Sequence, residues 1–557
     1  MVRVLCLLAV LLVATSPVCA QEPSFQPVDG SPAAMAKLAT DVLAVFRYDD
    51  RDRHLATLFR LQMVACRHSD AIATIRALRE LRSGGVPART AWLYSQYEVV
   101  ATARARQAAH AESLEAALAD ASREVLGRLD DKAAMSAAFG FGGNLARFQG
   151  DFQTSLEAQK AQPSLSLADA LELLRRYQVS EAYRELLPQG AALVAADDAR
   201  RYVIDRDVLV TTPDGARIAV KVFRPRAAER QTTLFGFTIY ATEDWSDADA
   251  KRGAANGYAG VVAYSRGKGR SPDAIVPYEH DGDDARAVID WIARQPWSDG
   301  RVGMYGGSYN GFAAWSAAKK LPKALKCLMT SATAAPGIDV PMQGNVFMSF
   351  LYQWVPYVVN NKTLDDTTYG DQARWSAMNR NWYTTGRAYR DLDRVDGTAN
   401  PIFRRWLDHP GYDAYWQKMI PYRDEFTRID IPVLETTGYF DGAMVGVLHY
   451  FREHTKYRPK ADHTIVVGPF EHFSMQSGVS RIVQGYEVDP VAVIDLNQLR
   501  QDWFDHILKG APKPEILKDR VNYQVMGANV WKHAPTLEAM ASSRLRLFLS
   551  ATKGRCV

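Results

Sequence analysis

Cysteine is scarce, with five residues in a chain of 557. Cys6 and Cys19 fall near the start, and Cys66, Cys327 and Cys556 stand far apart, so neither a disulfide framework nor a metal-ligand spacing is present. Cys327, inside the apolar run "ALKCLM", reads as a small buried hydrophobe. Charge of one sign is equally short: 67 Lys and Arg against 63 Asp and Glu leave a formal net charge of +4. No basic run is dense enough to suggest a nucleic-acid partner. Phosphate-binding glycine patterns are missing as well. "RGKGRS" lacks the spacing of a P-loop, and Pro272 stands where a dinucleotide fingerprint needs its third glycine. Arg266, Gly267, Gly269 and Ser271 instead read as shaping a loop at the edge of a site. No metal site is visible, and no cofactor is expected.

The length exceeds what one core accommodates and implies two to four domains. A hydrophobic fraction of 47% and a charged fraction of 23% are those of an ordinary globular chain. Residues 1–20 have the anatomy of a cleaved signal peptide: Arg3, an apolar core from Val4 to Val13, and small residues at Val18 and Ala20 before Gln21. The apolar core is shorter than the ~20 residues of a membrane span. Export to a periplasm or beyond is expected, with no transmembrane segment left after cleavage. Residues 21–198 are rich in Ala, Leu, Arg and Glu, with apolar positions three and four apart, as in "IATIRALRELRS" and "ADALELLRRYQVSEAYREL". That period predicts packed amphipathic helices.

After Arg200 the pattern changes. "DVLVTTPDGARIAVKVFRPR" alternates apolar and polar residues about "PDG" and predicts a hairpin. Short apolar runs then alternate with helical stretches, which predicts an α/β fold with a mostly parallel sheet over residues 199–339 and 426–510. Residues 340–425 break the alternation with aromatics from Phe347 to Trp416 and predict a helical cap over the C-terminal edge of the sheet. Most of those rings are expected to form the cap's own core. Residues 511–557 turn strand-like again.

One stretch carries chemistry. In "GMYGGSYNGF" Ser308 follows a short buried strand and precedes a helix, as the nucleophile of an elbow does. The usual pattern is G-x-S-x-G. Here Gly306 fits, Asn310 takes the second glycine's place, and the glycine arrives one residue late at Gly311. A hydrolase of this type places its acid and its histidine at the ends of later strands. "IPVLETTGY" runs out at Asp441, and "HTIVVG" is followed by His472 in "PFEHF". Rivals are worse placed: Asp430 precedes its strand, Glu435 lies inside it, His449 and His454 are helical, and His463 opens its strand. His472 would take the Ser308 proton, Asp441 would orient the imidazole, and the backbone N–H of Tyr309 would donate to the oxyanion.

From about Asp207 to Met540 the chain resembles the cocaine esterase and X-Pro dipeptidyl-peptidase (S15-type) serine hydrolases, a family that includes glutaryl-7-aminocephalosporanic acid acylases and α-amino acid ester hydrolases. The stretches that carry the resemblance are "VLVTTPDGARIAVKVFRP", "SRGKGRS", "DARAVIDWIARQPWSDGRVGMYGGSYNGF", "GYFDG", "GPFEHF", "WFDHILKG" and "VMGANVW". It implies an α/β-hydrolase fold with a cap and an elbow of the form G-x-S-Y-x-G, and it puts the triad on Ser308, Asp441 and His472. It also implies a second oxyanion donor, the hydroxyl of Tyr240 in "FTIYATED". A C-terminal jelly-roll sandwich is implied too, of which this chain carries the opening strands, so residues 511–557 are expected to be an incomplete β segment.

Substrate choice stays open between esters and amides or short peptides. Members that act on α-amino substrates need carboxylates for the ammonium group, and Asp339, Asp365 and Asp366 are the candidates; each also reads as an ordinary loop charge. The expected partner is a small-molecule ester, amide or short peptide, and a homo-oligomer is compatible with the sequence. The alternative from another class is a catalytically silent binding or scaffold protein on a hydrolase fold.

Overall fold

The computed structural model describes residues 23–548 apart from 161, 228 and 544. The leader assigned to residues 1–20 and Cys556 lie outside the described residues. The chain divides after Asp198 into two units.

The first unit is helical: α1 (Pro32–Val45), α2 (Arg51–Val64), α3 (His68–Ser83), α4 (Ser95–Ala109), α5 (Leu114–Gly127), α6 (Asp131–Ala138), α7 (Leu145–Lys160) and the long α8 (Leu167–Arg201), with one short antiparallel pair, β1 (Ser24–Phe25) and β2 (Leu165–Ser166). Ser31, Asp50, Ser113 and Asp130 start four of these helices by accepting a first-turn N–H on the side-chain oxygen. The three-and-four spacing becomes a buried stripe, for instance Ala117, Leu118, Ala121, Val125 and Leu126 of α5. Glu98 of α4 is 1% exposed and takes ion pairs from Arg76, Arg79 and Arg128.

The second unit is built on a ten-stranded sheet. Its strands are β3 (Tyr202–Thr211), β4 (Arg217–Pro225), β5 (Gln231–Thr238), β6 (Ala259–Tyr264), β7 (Ser298–Gly307), β8 (Leu325–Ser331), β11 (Val433–Gly438), β12 (His463–Gly468), β15 (Val521–Val525) and β16 (Val530–Ala534). They lie in the order β16-β15-β12-β11-β8-β7-β5-β6-β4-β3. The strands from β15 to β6 in that order pair in parallel, and β16, β4 and β3 add antiparallel edges. β6, β11 and β12 are buried at every position, as strands covered on both faces must be. The helices that punctuate the sheet are α9 (Glu243–Ala255), α10 (Asp281–Ala293), α11 (Tyr309–Lys319), α18 (Met444–Tyr457), α19 (Ser474–Ser477) and α20 (Leu496–Lys509). A short pair, β13 (Ile482–Val483) and β14 (Tyr486–Glu487), precedes α20. Among the described residues no helix is long and apolar enough to cross a membrane.

Between β8 and β11 a two-stranded turn, β9 (Met342–Gln343) and β10 (Val346–Phe347), leads into α12 (Phe350–Val359), α13 (Asp366–Tyr369), α14 (Gln372–Thr385), α15 (Leu392–Asp396), α16 (Pro401–Leu407) and α17 (Ala414–Gln417). The aromatics of this insertion divide in two. Tyr352, Trp375 and Phe403 form its own core, whereas Trp354, Trp406 and Trp416 join the main core with Tyr278, Tyr309 and Phe312.

The C-terminal segment differs from the sequence expectation. Over its described part, residues 511–557 do not open a separate sandwich. β15 pairs in parallel with β12, and β16 folds back on β15, so both extend the hydrolase sheet. Val521 and Ala534 bury against Phe451, Ile465 and Val467, and that burial fixes the pairing.

Candidate active site

Ser308 stands between the end of β7 and the start of α11, with φ 58° and ψ −121°. A residue with a Cβ avoids this region, and holding one there costs of order 1–3 kcal/mol. The surroundings enforce it. Ser308 N–H donates to the Ser331 carbonyl at 2.9 Å, and the Ser308 carbonyl accepts from Gly311, Phe312 and Ala334 at 3.1, 3.1 and 3.2 Å. The displaced glycine has a steric reason. A Cβ on Gly306 would lie 2.4 Å from the Asn310 backbone, and one on Gly311 would lie 3.0 Å from Thr333 Oγ1 and 3.2 Å from the Gly306 carbonyl. Strand and helix therefore cross at Gly306 and Gly311.

Asp441 follows β11, and His472 follows β12. Asp441 Oδ1 accepts from Ala443 N–H at 3.0 Å and lies 3.0 Å from His472 Nδ1. The Asp441 side chain is 5% exposed and that of His472 32%. An imidazole that donates from Nδ1 to a carboxylate keeps Nε2 as its basic nitrogen. The histidine loop is braced by Glu471, whose carboxylate accepts from the Phe473 and Ser474 N–H groups at 3.1 and 2.6 Å while Ser474 Oγ accepts from Glu471 N–H at 3.0 Å.

Tyr240, just past β5, accepts at its hydroxyl from Trp354 Nε1–H at 3.2 Å. Burial pushes its phenol up to about 12, and donation from Trp354 and from the Ser308 side chain opposes the rise. Tyr309 is the first residue of α11, whose leading N–H groups have no acceptor within the helix. Its side chain is 1% exposed and tethered: the hydroxyl donates to Asp281 (2.9 and 3.0 Å to the two oxygens) and accepts from Tyr278 N–H at 2.9 Å. Asp281 also accepts from Ser265 Oγ–H at 2.8 Å, and burial pushes its carboxyl up to about 7.

The three carboxylates considered for an ammonium group have separate settings. Asp339 is 3% exposed; Oδ1 accepts from Ala335 N–H at 2.7 Å, Oδ2 faces Gly446 without a hydrogen-bond partner, and burial pushes the carboxyl up to about 8. A neutral, enclosed acid does not suit a cation. Asp365 caps α13 through Thr368 N–H and accepts from Asn360, which holds it below the usual carboxylate range. Asp366 alone is exposed.

The rival acid and histidines form a second carboxylate–imidazole group, closed to solvent. Glu435 lies 3.1 Å from His463 Nε2 and accepts from Trp315 Nε1–H and Thr330 Oγ1–H at 3.0 and 2.9 Å. His463 meets His454 at 3.2 Å, and His454 Nε2–H donates to the Ile429 carbonyl at 3.0 Å. Burial raises the Glu435 carboxyl and lowers both imidazoles. No substrate carbonyl could reach this group, since all three residues are at 0% exposure.

The loop of "RGKGRS" clamps the cap. Lys268, at 0% exposure, donates from Nζ to the carbonyls of Val358 (2.8 Å), Asn361 (3.1 Å) and Thr363. Lys362 of the cap returns the contact, donating to Gly267 and Ser271 at 2.8 and 2.6 Å while its own carbonyl accepts from Gly269 N–H at 2.8 Å. Arg266 pairs with Asp214 and Asp284. Sequence reasoning missed Lys268, Trp354, Asp281 and Glu471. Only the first had a signal, a lysine between two glycines of positive φ, 85° and 58°.

Residues 214–474 match the family model described as X-Pro dipeptidyl-peptidase (S15 family). In sequence the chain is similar to the cocaine esterase of Rhodococcus sp. (strain MB1 Bresler), with 26% identity over 356 residues that make up 59% of this chain and 59% of that protein. Among solved structures it is similar to an α-amino acid ester hydrolase (20% identity, 61% of this chain and 59% of that chain, TM-score 0.49). It is also similar to a CocE/NonD family hydrolase from Staphylococcus aureus (17% identity, 60% of this chain and 56% of that chain, TM-score 0.43). The S15 resemblance read from the motifs is thus borne out. The chain spans about three-fifths of the length of these relatives.

Proposed function

We propose, from an S15-like segment over residues 214–474, that the protein is a serine hydrolase that cleaves ester or amide bonds through an acyl-enzyme, with Ser308, His472 and Asp441 as the triad. The observation that carries this reading is the 3.0 Å bond between His472 and Asp441, with a serine on a strained elbow two strands away in the same sheet. His472 Nε2 removes the Ser308 proton as Oγ attacks the carbonyl carbon. The imidazolium so formed is stabilised by Asp441 and returns the proton to the leaving alcohol or amine. The Tyr240 hydroxyl and the Tyr309 N–H stabilise the tetrahedral oxyanion. Water, deprotonated by the same histidine, then releases the acid and restores Ser308.

Esters or amides without a free α-ammonium are the preferred substrates in this reading, because Asp339 is enclosed and Asp365 is committed to capping a helix. Hydrolysis of p-nitrophenyl acetate, butyrate and benzoate, set against Gly-Pro-p-nitroanilide and phenylalanine methyl ester, tests both parts. Turnover of the simple esters that is lost in Ser308→Ala supports the reading. A preference for the α-amino substrates contradicts the assignment of substrate class, and a folded protein that turns over none of them is the silent scaffold. We propose export as well, on the leader of residues 1–20; the mature protein in a periplasmic or culture fraction would begin at Gln21.

A further inference from the structure

The Tyr240 hydroxyl has one proton, and the indole of Trp354 lies beside it. Trp354 Nε1–H can only donate, so at 3.2 Å the Tyr240 oxygen must accept from it. That restricts the rotation of the hydroxyl: the lone pair facing the indole is occupied, so the O–H must point away from Trp354. A proton turned away from the indole is free for the oxyanion, with less reorganisation at the moment of attack. Without the indole N–H the phenol could turn and spend its proton elsewhere.

Trp354 is itself held from two sides. Its ring is 5% exposed and packs on Tyr240, Tyr278, Tyr309 and Trp406, with centroids 6.4, 6.0, 5.8 and 6.3 Å away. The helix that carries it, α12, ends at Val359; its Pro356 and Tyr357 carbonyls accept from Asn360 and Asp365 N–H, and its Val358 carbonyl accepts from Lys268. Lys268 also gathers two carbonyls just past the helix end. An ammonium has three protons, and Val358, Asn361 and Thr363 offer three carbonyls. Burial, and next the neighbouring Lys362 ammonium, push this ammonium down to about 8; hydrogen bonds to three carbonyls are what favour its charged form. Lys362 performs the reciprocal service for the loop of Gly267 and Ser271. A buried lysine that bonds only to main-chain oxygens of another element is a costly group for a merely solvated loop, and its result here is a fixed end for α12.

We propose that Trp354 is a positioning residue that sets the polarity of the Tyr240 hydroxyl, and that the reciprocal Lys268–Lys362 clasp keeps its helix in register with the hydrolase sheet. The proposal rests on the hydrolase reading and deepens it, bringing the cap into the oxyanion hole.

A double-mutant cycle on the full chain tests it, with p-nitrophenyl butyrate turnover and the rate of fluorophosphonate labelling as readouts. Trp354→Phe is expected to lower kcat about tenfold with KM nearly unchanged, and Tyr240→Phe about a hundredfold. The double variant should equal Tyr240→Phe alone, since the indole acts only through the hydroxyl. Lys268→Met should show the same dependence on Tyr240. If Trp354→Phe or Lys268→Met unfolds the chain, replacing Trp354 by its benzothiophene isostere removes the N–H and keeps the ring, and it should give the same tenfold loss. Additive losses in the Tyr240→Phe background, or a loss confined to KM, overturn the proposal. Failure of the underlying reading has a different signature, labelling or turnover that survives Ser308→Ala, and it removes the proposal with it.

Discussion

In the helical unit the buried acid Glu98 is met by three guanidinium groups, and its neighbourhood carries no net demand on the fold. In the α/β unit Asp281, Asp339 and Glu435 are buried as deeply, yet among the described residues none has a Lys or Arg partner, and Ser308 is held at φ 58°. Both regions pack apolar stripes or strands in the ordinary way. They differ in where unfavourable groups are tolerated. The helical unit neutralises its buried acid on the spot with cations, whereas these three carboxyls of the α/β unit are held by neutral donors and imidazole, and Ser308 adds backbone strain at the elbow. The contrast separates an acid buried as a charge with its cations from acids buried without them, of which Asp281 tethers Tyr309 beside the elbow while Glu435 stays closed off from solvent.

The largest expected effect falls on chemistry. Ser308→Ala should lower kcat/KM for a simple ester by at least ~10⁴-fold, with the unfolding midpoint unmoved. Tyr240→Phe should remove about two orders of magnitude in kcat, read under saturating substrate. In the helical unit the effect should be reversed. Glu98→Gln should leave ester turnover unchanged and cost about 2–3 kcal/mol in denaturant unfolding, toward the low end for a broken buried pair because Arg76 and Arg128 are 49% and 45% exposed and can rehydrate. Relief of strain is smaller. Ser308→Gly should abolish activity yet raise stability by about 1 kcal/mol, since glycine accepts positive φ freely; urea titration of the two variants reads this directly.

A last effect is visible only as a pH dependence. Burial raises the Asp339 carboxyl in the folded state to about 8, from 3.8 for a free aspartate. Its contribution is therefore complete below about 3.8 and is lost as pH rises through about 8. The thermal midpoint of the protein should fall between pH 5 and pH 8.5, and Asp339→Asn, which cannot ionise, should fall less over the same range. Identical slopes would mean that Asp339 is not a neutral buried acid.

Much of the site was legible because its logic is positional. Ser308, Asp441 and His472 each sit where a strand runs out, and strands are readable from apolar runs. The late glycine at Gly311 became intelligible only with the helix crossing in view, as a contact with Thr333 and the Gly306 carbonyl. Trp354 was hidden among a dozen cap aromatics, since nothing in a sequence tells a ring packed in the cap's own core from one whose N–H reaches across to Tyr240. Lys268 was invisible as a clasp because its partners are main-chain carbonyls some ninety residues away. The C-terminal strands misled for a related reason. Alternating residues announce a strand but not its neighbour, and β15 finds that neighbour in β12.

The central claim is that Ser308 is the nucleophile. It is tested most directly by reacting the full chain with a fluorophosphonate, digesting it, and locating the adduct by peptide mass spectrometry. A single adduct on Ser308 that fails to form in His472→Ala is the predicted result; a folded protein that takes no label, or takes it on another residue, would contradict it.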